Sequence, residues 1–343
     1  MKVGVLIPTY NREKYLAEAL GSVLKQTFSD LEVVVIDNAS NDGTAEFMKG
    51  IADPRVRYIV NDRNIEMIGS INKGIRLFSS EVAWCTVLSD DDLLDAGFIA
   101  SMVDFVGAHA VKAIAHSHRT FIDADGKKLR DAVQAPLVES SLEYVHSRSV
   151  FKRETFLTGI FFSRSAFEEI GGYPTFTTGT ATDDAFIFAL SLRDNNLYHN
   201  SHAVVLVRLH PEAESHSALD AIRHFQALKE YKDYVEHAAA NANKYGPEEL
   251  TRLDRDLDTH IEQLNNVLLV RNIHALLDKK KGDYRIQREE LFDTIENKEF
   301  AFSTIFRWYV FLLKTFDVIP GVNKIIMSCV KTIIKIRHQL TRR

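Results

Sequence analysis

Three carboxylates in a row, Asp90-Asp91-Asp92, follow the apolar stretch Ala83-Trp84-Cys85-Thr86-Val87-Leu88 almost directly, with only Ser89 between them. The apolar stretch has the length and composition of a buried strand. Like charges packed this closely repel, and setting them against a buried strand end is costly unless a cation neutralises them. A fold that accommodates the pattern places the acids at the carboxyl end of a parallel strand. Hard oxygen ligands there suit a Mg²⁺ or Mn²⁺ ion that also binds phosphate oxygens. The competing explanation is an acidic helix start, because Asp favours the first turn through the helix dipole. The run by itself does not decide between the two.

The surrounding pattern predicts an alternating α/β fold. Val3–Ile7 is a short apolar run stopped by Pro8, after which Tyr15, Leu16, Ala19, Leu20, Val23 and Leu24 repeat at helical spacing. Glu32–Ile36 predicts a second buried strand ending at Asp37, and Asn38–Gly43 supplies turn and capping chemistry before a helix from about Thr44. Val56–Val60 predicts a third strand, Ile68–Phe78 a helix and Trp84–Leu88 the fourth strand. Such βαβ alternation implies a mostly parallel, Rossmann-like sheet covered on both faces, with ligands at the strand carboxyl ends.

The middle of the chain differs in character. Ala113–Ile122 runs into Asp123-Ala124-Asp125-Gly126, a hairpin signal. Glu139–Val150 is polar and fits a mobile loop or a short helix, while Phe156–Phe162 and Ala203–Leu209 predict further strands. After about Leu219 the strand patterns stop. Leu250, Leu253, Leu257, Ile261, Leu264 and Leu268 mark a helix with a narrow apolar seam. A boundary near Ala218–Arg223 therefore divides the chain into a catalytic α/β domain, residues 1–218, and a helical C-terminal extension, residues 219–343.

Composition excludes several classes. A net charge of −5 and a pI near 6.2 argue against nucleic-acid binding, which shows as a basic excess. Cys85 and Cys329, far apart and in apolar settings, form neither a disulfide framework nor a zinc spacing and fit a cytoplasmic location. The first apolar run is too short for a signal peptide, and no run of apolar residues is long enough for an ordinary membrane span. Gly321–Arg343 carries six Lys/Arg and no acid, with Val322, Ile325, Ile326, Cys329, Val330, Ile333 and Ile334 on one helical face. That pattern suits peripheral association with an anionic membrane surface; packing against the catalytic domain or a second copy of the chain is the equal alternative.

Individual site residues each carry two meanings. No Gly-x-Gly-x-x-Gly follows the first strand, so the usual dinucleotide-binding turn is absent. Pro8 fixes the direction in which the chain leaves the strand. Thr9 and Asn11 can bond a base or ribose at the mouth of the sheet, or simply cap a helix. Asp37 can accept from a nucleobase N–H or a ribose hydroxyl, or form a turn. His210, at the end of the last strand, can bind a divalent metal or a phosphate oxygen, or be an ordinary surface histidine; His216 is the alternative.

Taken in order, Ile7-Pro8-Thr9-Tyr10-Asn11, Val34–Thr44, the Asn64…Gly69…Asn72-Lys73-Gly74 series and Ser89-Asp90-Asp91-Asp92 resemble a family 2 glycosyltransferase of the GT-A fold. Gly159–Arg164, Gly171-Gly172-Tyr173, Thr182-Asp183-Asp184 and Arg208-Leu209-His210 extend the resemblance over residues 3–216. It implies nucleotide contacts from Pro8, Thr9, Asn11, Asp37 and Asn64, with Asp90 near the ribose. It implies Asp91 as ligand to a Mn²⁺ or Mg²⁺ on the diphosphate, with Asp92 as runner-up and His210 as a further ligand. Where the family often has Asp-x-Asp-Asp, this chain has Ser89 in the first place, so the register of the ligands stays open. Asp183 and Asp184 match the pair that supplies the catalytic base in inverting members, Asp184 as base and Asp183 as its support; otherwise they are an acidic start to a helix over Ala185–Leu192.

The expected activity is metal-dependent, inverting transfer of a sugar from a nucleoside-diphosphate donor to a hydroxyl of a glycan or lipid-linked acceptor, in surface polysaccharide biosynthesis. A sugar nucleotidylyltransferase would need a Gly-rich, Arg-containing loop after the first strand, which Pro8–Arg12 is not. The alternative from another class is a noncatalytic nucleotide-sugar-binding or scaffolding subunit of a polysaccharide assembly complex.

Overall fold

A computed structural model describes residues 1–210 and 221–277. His216 and the basic segment Gly321–Arg343 lie outside the described residues. Two compact units divide the described chain. The first holds residues 1–141, 154–175 and 182–210; the second holds 142–153, 176–181 and 221–277.

The first unit opens with β1 (Lys2–Thr9), α1 (Glu13–Leu24), β2 (Leu31–Asp37), α2 (Thr44–Lys49), β3 (Val56–Val60), α3 (Glu66–Leu77) and β4 (Val82–Val87). It continues with β5 (Leu93–Leu94), α4 (Phe98–Ala108), β6 (Ile114–Ile122), β7 (Lys128–Asp131) and β8 (Val138–Ser140). Helix α5 (Ser141–Ser149) carries the chain into the second unit, and β9 (Ile160–Ser163), α6 (Arg164–Glu169), α7 (Thr182–Asp194) and β10 (Asn196–Arg208) complete the first. In the second unit α8 (Ala221–Asn241) packs along α9 (Pro247–Leu277). Lys232 on α8 joins them, bridging to Asp254 at 2.6 Å and to Asp258.

One sheet runs in the order β3-β2-β1-β4-β9-β6-β10-β5, with β7 on β6 and β8 on β10. Strands β3, β2, β1 and β4 are mutually parallel, β9 is antiparallel to both β4 and β6, and β10 is parallel to β6. Continuous apolar strands suit the parallel part because both sheet faces are covered. Val3, Val5 and Ile7 pack with Leu16, Leu20 and Val23 of α1 on one face. Leu6 points to the other, where a Cβ added to Gly74 of α3 would stand 2.3 Å from Leu6 Cδ1. Only a glycine lets this helix lie so close to the central strand.

Register puts the strand ends together. Thr9 pairs with Asp37, Asp37 with Val60, and the Leu88 amide donates to Leu6 O at 2.9 Å just past the β1–β4 ladder. The loops after β1, β2 and β4 therefore open at one edge. Three expectations are modified. The strand predicted over Phe156–Phe162 begins only at Ile160, because Gly159 has φ +95 and an added Cβ there would stand 2.5 Å from Ser117 Oγ. The polar segment Glu139–Val150 is largely helix, as α5. Helix α7 begins at Thr182, so both acids of the Asp183-Asp184 pair lie in its first turn. Among the described residues no helix is long and apolar enough to cross a membrane.

Candidate active site

The acidic run leaves β4 as a tight turn, in which the Asp92 amide donates to Ser89 O at 3.1 Å. Arg12 serves the first two of its carboxylates and the Arg208 amide the third. Asp90, 6% exposed, accepts Thr9 Oγ1 at 2.8 Å on one oxygen and Arg12 Nη1 at 3.1 Å on the other. Asp91 Oδ2 is shared by Arg12 Nη1 at 2.8 Å and His210 Nε2 at 3.0 Å. Asp92, 5% exposed, turns inward and accepts the Arg208 amide at 2.8 Å. Burial, opposed by the Arg12 charge and aided by that of Asp91, pushes the Asp90 carboxyl up to about 6. Burial and then the charge of Asp91 push Asp92 up to about 7.

Arg208 ties this turn to the rest of the unit. Its guanidinium donates to Asp91 O at 2.9 Å, to Ala124 O at 2.6 Å and to Glu18 of α1 at 2.6 Å. The Tyr15 ring of the same helix lies 4.8 Å from the imidazole of His210. Thr9 and Asn11 do not cap α1. Thr9 is committed to Asp90, and Asn11, held at φ +54, accepts the Asn41 amide at 2.8 Å while its own amide donates to Ser40 Oγ. Asn11 thereby fastens the loop after β1 to the loop after β2.

Pro8 is buried and in register with Ile36, and Asp37 ends β2 beside Thr9 at 1% exposure. Its oxygens accept the Ser40 amide at 2.8 Å and the Tyr58 hydroxyl at 2.5 Å. Burial, reinforced by the bond to Asp37, raises the Tyr58 hydroxyl well above its ordinary value, so it stays a donor. Asn38 continues the network: Nδ2 donates to Asn64 Oδ1 at 2.7 Å, and Oδ1 accepts the Ile65 amide at 2.9 Å. Asn64 also accepts the Glu66 amide at 2.8 Å, so its side chain sets the start of α3 beside the Asp37 loop.

The second acidic pair stands at the head of α7. Asp184, 3% exposed, accepts Thr155 Oγ1 at 3.0 Å, and half-buried Asp183 accepts the Tyr173 hydroxyl. Thr158, three residues after Thr155, receives the Ser89 amide at 3.2 Å and donates to Ser89 Oγ at 3.0 Å. One short segment thus touches both Asp184 and the acidic turn.

Asp91 and His210 are the groups that a divalent ion could use. Among the described residues no three His, Cys, Asp or Glu side chains gather as a metal cage. A carboxylate oxygen and an imidazole nitrogen 3.0 Å apart nevertheless fit adjacent positions on one small cation, since ligands about 2.1 Å away at a right angle lie about 3 Å apart. Mg²⁺ and Mn²⁺ accept one or two protein ligands when phosphate oxygens and water supply the rest. In the contact with Asp91 the His210 Nε2 is the donor, and the buried Nδ1 has no hydrogen-bond partner.

Residues 4–171 match the family described as Glycosyl transferase family 2. That stretch, just under half of the chain, is a family 2 glycosyltransferase domain. Succinoglycan biosynthesis protein ExoO of Rhizobium meliloti is 31% identical over 156 residues, 44% of each chain. The GalNAc(5)-diNAcBac-PP-undecaprenol beta-1,3-glucosyltransferase of Campylobacter jejuni is 33% identical over 104 residues, 30% of this chain and 33% of the relative. The aligned part of the chain therefore spans between a third and a half of these relatives' lengths. The fold is shared with S. aureus TarS 1–349 in complex with UDP-GlcNAc, at a TM-score of 0.57 and 16% identity over 85% of this chain and 91% of that one. It is also shared with the mannosyltransferase PcManGT from Pyrobaculum calidifontis in complex with GDP-Man and Mn²⁺, at 0.52 and 17% over 93% and 87%. The α/β architecture is GT-A.

The members of this family 2 site that sequence reasoning did not single out are Arg12, Tyr58, Thr155, Thr158 and Arg208. Arg208 lies inside a motif of the resemblance and Arg12 directly follows one. Nothing local marks Tyr58 or the two threonines.

Proposed function

We propose that the chain is an inverting glycosyltransferase that uses a divalent cation and a nucleoside-diphosphate sugar and acts in polysaccharide biosynthesis. The observation that carries this is the segment Thr155–Thr158, which touches Asp184 at one end and the acidic turn at the other. A base and a diphosphate-binding acid cluster on opposite sides of one short segment are what a single displacement at a sugar carbon needs. The homology to a protein of succinoglycan biosynthesis and to a glucosyltransferase named for an undecaprenol-linked substrate supports a glycan or lipid-linked acceptor.

In this reading Asp37 accepts an N–H of the base, its orientation fixed by Tyr58 and the Ser40 amide. Thr9 and Asn11 line the same edge, and Asp90, braced by Thr9, faces the ribose. Asp91 and His210 would hold Mn²⁺ or Mg²⁺, which when bound offsets the negative charge that grows on the departing diphosphate. Asp92 shapes the turn rather than reaching outward, since its oxygen is spent on the Arg208 amide. The acceptor hydroxyl attacks the anomeric carbon, its oxygen forming the new C–O bond as the bond to the diphosphate oxygen breaks. The bonding pair leaves with the diphosphate, and the hydroxyl proton passes to Asp184. Thr155 holds that carboxylate in place.

The test is a panel of UDP-, GDP- and dTDP-hexoses offered with Mn²⁺ or Mg²⁺ and with glycan or lipid-linked saccharide, reading free nucleoside diphosphate. Acceptor-dependent release that stops with EDTA is expected. Tight nucleotide-sugar binding with no release from any donor would point to a noncatalytic subunit.

A further inference from the structure

Helix α3 reaches across to the loop that precedes the acidic pair. Asn72, in its middle, pairs with both sides of one backbone unit: Nδ2 donates to Tyr173 O at 2.9 Å, and the Tyr173 amide donates to Asn72 Oδ1 at 2.7 Å. This double bond fixes a residue as firmly as a rung of sheet does, because distance and rotation are both set. The turn entering it is built for the approach. Gly171 and Gly172 have φ +83 and +102, and a Cβ on Gly172 would stand 2.6 Å from Asn72 Oδ1. Their amides close helix α6, Gly172 N donating to Phe167 O at 2.9 Å.

Beyond the clamp, the Tyr173 side chain has one direction left. Its ring is 3% exposed and stacks on Phe186 of α7 with centroids 4.3 Å apart, and Phe186 in turn meets Phe162 and Phe167. The hydroxyl emerges from this aromatic packing at the first turn of α7 and donates to Asp183 Oδ1. An apolar ring carrying one polar atom to one carboxylate is costly to place unless that bond is made.

We propose that Asn72 and Tyr173 are positioning residues for the sugar-transfer reaction: the line from α3 through Tyr173 to Asp183 sets the orientation of the Asp183–Asp184 pair. The proposal rests on the reading of that pair as the source of the catalytic base. It adds that α3, whose first amide is held by the nucleotide-side Asn64, also fixes the acids on the acceptor side, so the two halves of the site share one rigid element. Neither Asn72 nor Tyr173 touches reacting atoms in this scheme.

Tyr173→Phe keeps the ring and removes only the hydroxyl. Measured with the sugar nucleotide that the wild type turns over, kcat falls on the order of tenfold, while the affinity for nucleoside diphosphate with Mn²⁺ and the melting temperature stay near wild type. The distinguishing readout is a double-mutant cycle. If Tyr173 acts through Asp183, adding Tyr173→Phe to Asp183→Asn costs nothing further in kcat; a purely structural role costs the same in both backgrounds. Asn72→Asp keeps the acceptor for the Tyr173 amide and loses the donor, and its kcat loss should likewise shrink in the Asp183→Asn background. Unchanged kcat in Tyr173→Phe, or full additivity with Asp183→Asn, overturns the proposal while Asp184→Asn remains inactive. Wild-type silence towards every donor, or normal turnover by Asp184→Asn, removes the underlying reading and this inference with it.

Discussion

Gly74→Ala adds one methyl group where the fold has left no room for it, and its cost can be worked from the distances. The new Cβ would stand 2.3 Å from Leu6 Cδ1, 2.9 Å from Cδ2 and 3.2 Å from Cγ. Carbon atoms rest about 3.5–4.0 Å apart, so the nearest contact is short by more than an ångström. Leu6 has no exposure and sits on β1, held by ladders to β2 on one side and β4 on the other, so the strand cannot yield. Relief must come from α3 moving off the sheet. Overpacking costs roughly 1–3 kcal/mol, and a contact this short belongs in the upper part of that range, about 2–3 kcal/mol, set against about 1 kcal/mol gained by replacing a helical glycine with alanine. A net loss of about 1–2 kcal/mol corresponds to a fall in melting temperature of roughly 2–8 °C for a unit of this size. Calorimetry of Gly74→Ala, Leu6→Ala and the double variant checks the cause as well as the size. Leu6→Ala alone should cost about 2–5 kcal/mol by leaving a cavity. The double variant should be less destabilised than the sum, because the new methyl enters the space that the leucine vacates. A Gly74→Ala chain as stable as wild type, or strict additivity, would show that close contact with Leu6 is not why glycine stands there.

Three further outcomes follow from the site. Asp91→Ala should lose metal-dependent binding of nucleoside diphosphate, by at least about tenfold in titration calorimetry, because the diphosphate loses its bridge to the protein; unchanged affinity in a folded variant would move that role to Asp90 or Asp92. Asp184→Asn should keep donor affinity and lose about 10²–10⁴-fold in turnover, since a carboxamide cannot take the acceptor proton; near-normal kcat in a steady-state assay would hand the role to Asp183. With EDTA and no nucleotide, Asp90 near 6 and Asp92 near 7 bind protons more tightly than in the unfolded chain, where carboxyls sit near 4. Their stabilising contribution is then full below about pH 4 and lost as pH rises through 6–7. Asp92→Asn should therefore flatten the decline in melting temperature between pH 5 and 8, and a wild-type slope kept intact would refute the assignment.

The parallel half of the sheet was legible because β1, β2 and β4 carry apolar runs, β3 is apolar but for Arg57 and Tyr58, and α1 and α3 carry apolar stripes. Strand β3 begins and ends where the pattern places it, and β1, β2 and β4 lie within a few residues. The antiparallel half was harder. Gly159 stops the Phe156–Phe162 pattern from becoming strand until Ile160, a conformational fact that apolar spacing does not carry. Helix α4 buries Phe98, Ile99, Met102 and Val106 at helical spacing, but Ala100, Val103 and Phe105 fill the intervening positions, so no single apolar stripe stands out in its sequence. The acidic residues proposed for the site stand out in the sequence by their types and order, and the family resemblance suggests their roles. Their partners do not stand out. Tyr58 meets Asp37 across 21 positions, Arg12 meets Asp90 across 78 and Asn72 meets Tyr173 across 101, and no local pattern encodes which distant side chain will arrive.

The acidic run itself shows how the structure answers the problem that its sequence poses. Three adjacent like charges call for neutralisation, and a bound cation was the expected source. The chain supplies much of it. Arg12 bridges Asp90 and Asp91, Arg208 gives its backbone amide to Asp92 and its guanidinium to the Asp91 carbonyl, and burial itself shifts Asp90 and Asp92 towards the protonated form. The tight turn makes this possible by setting Asp90 against Thr9 and Arg12, Asp91 against Arg12 and His210, and Asp92 against the end of β10. Asp91 is left as the carboxylate whose oxygen meets both a guanidinium and an imidazole. Of the three it is the one that can exchange a protein donor for a metal ion without unmaking the turn, because Asp92 anchors β10 and Asp90 is locked to Thr9. That asymmetry gives a physical reason for favouring Asp91 among residues that the sequence alone presents as equals.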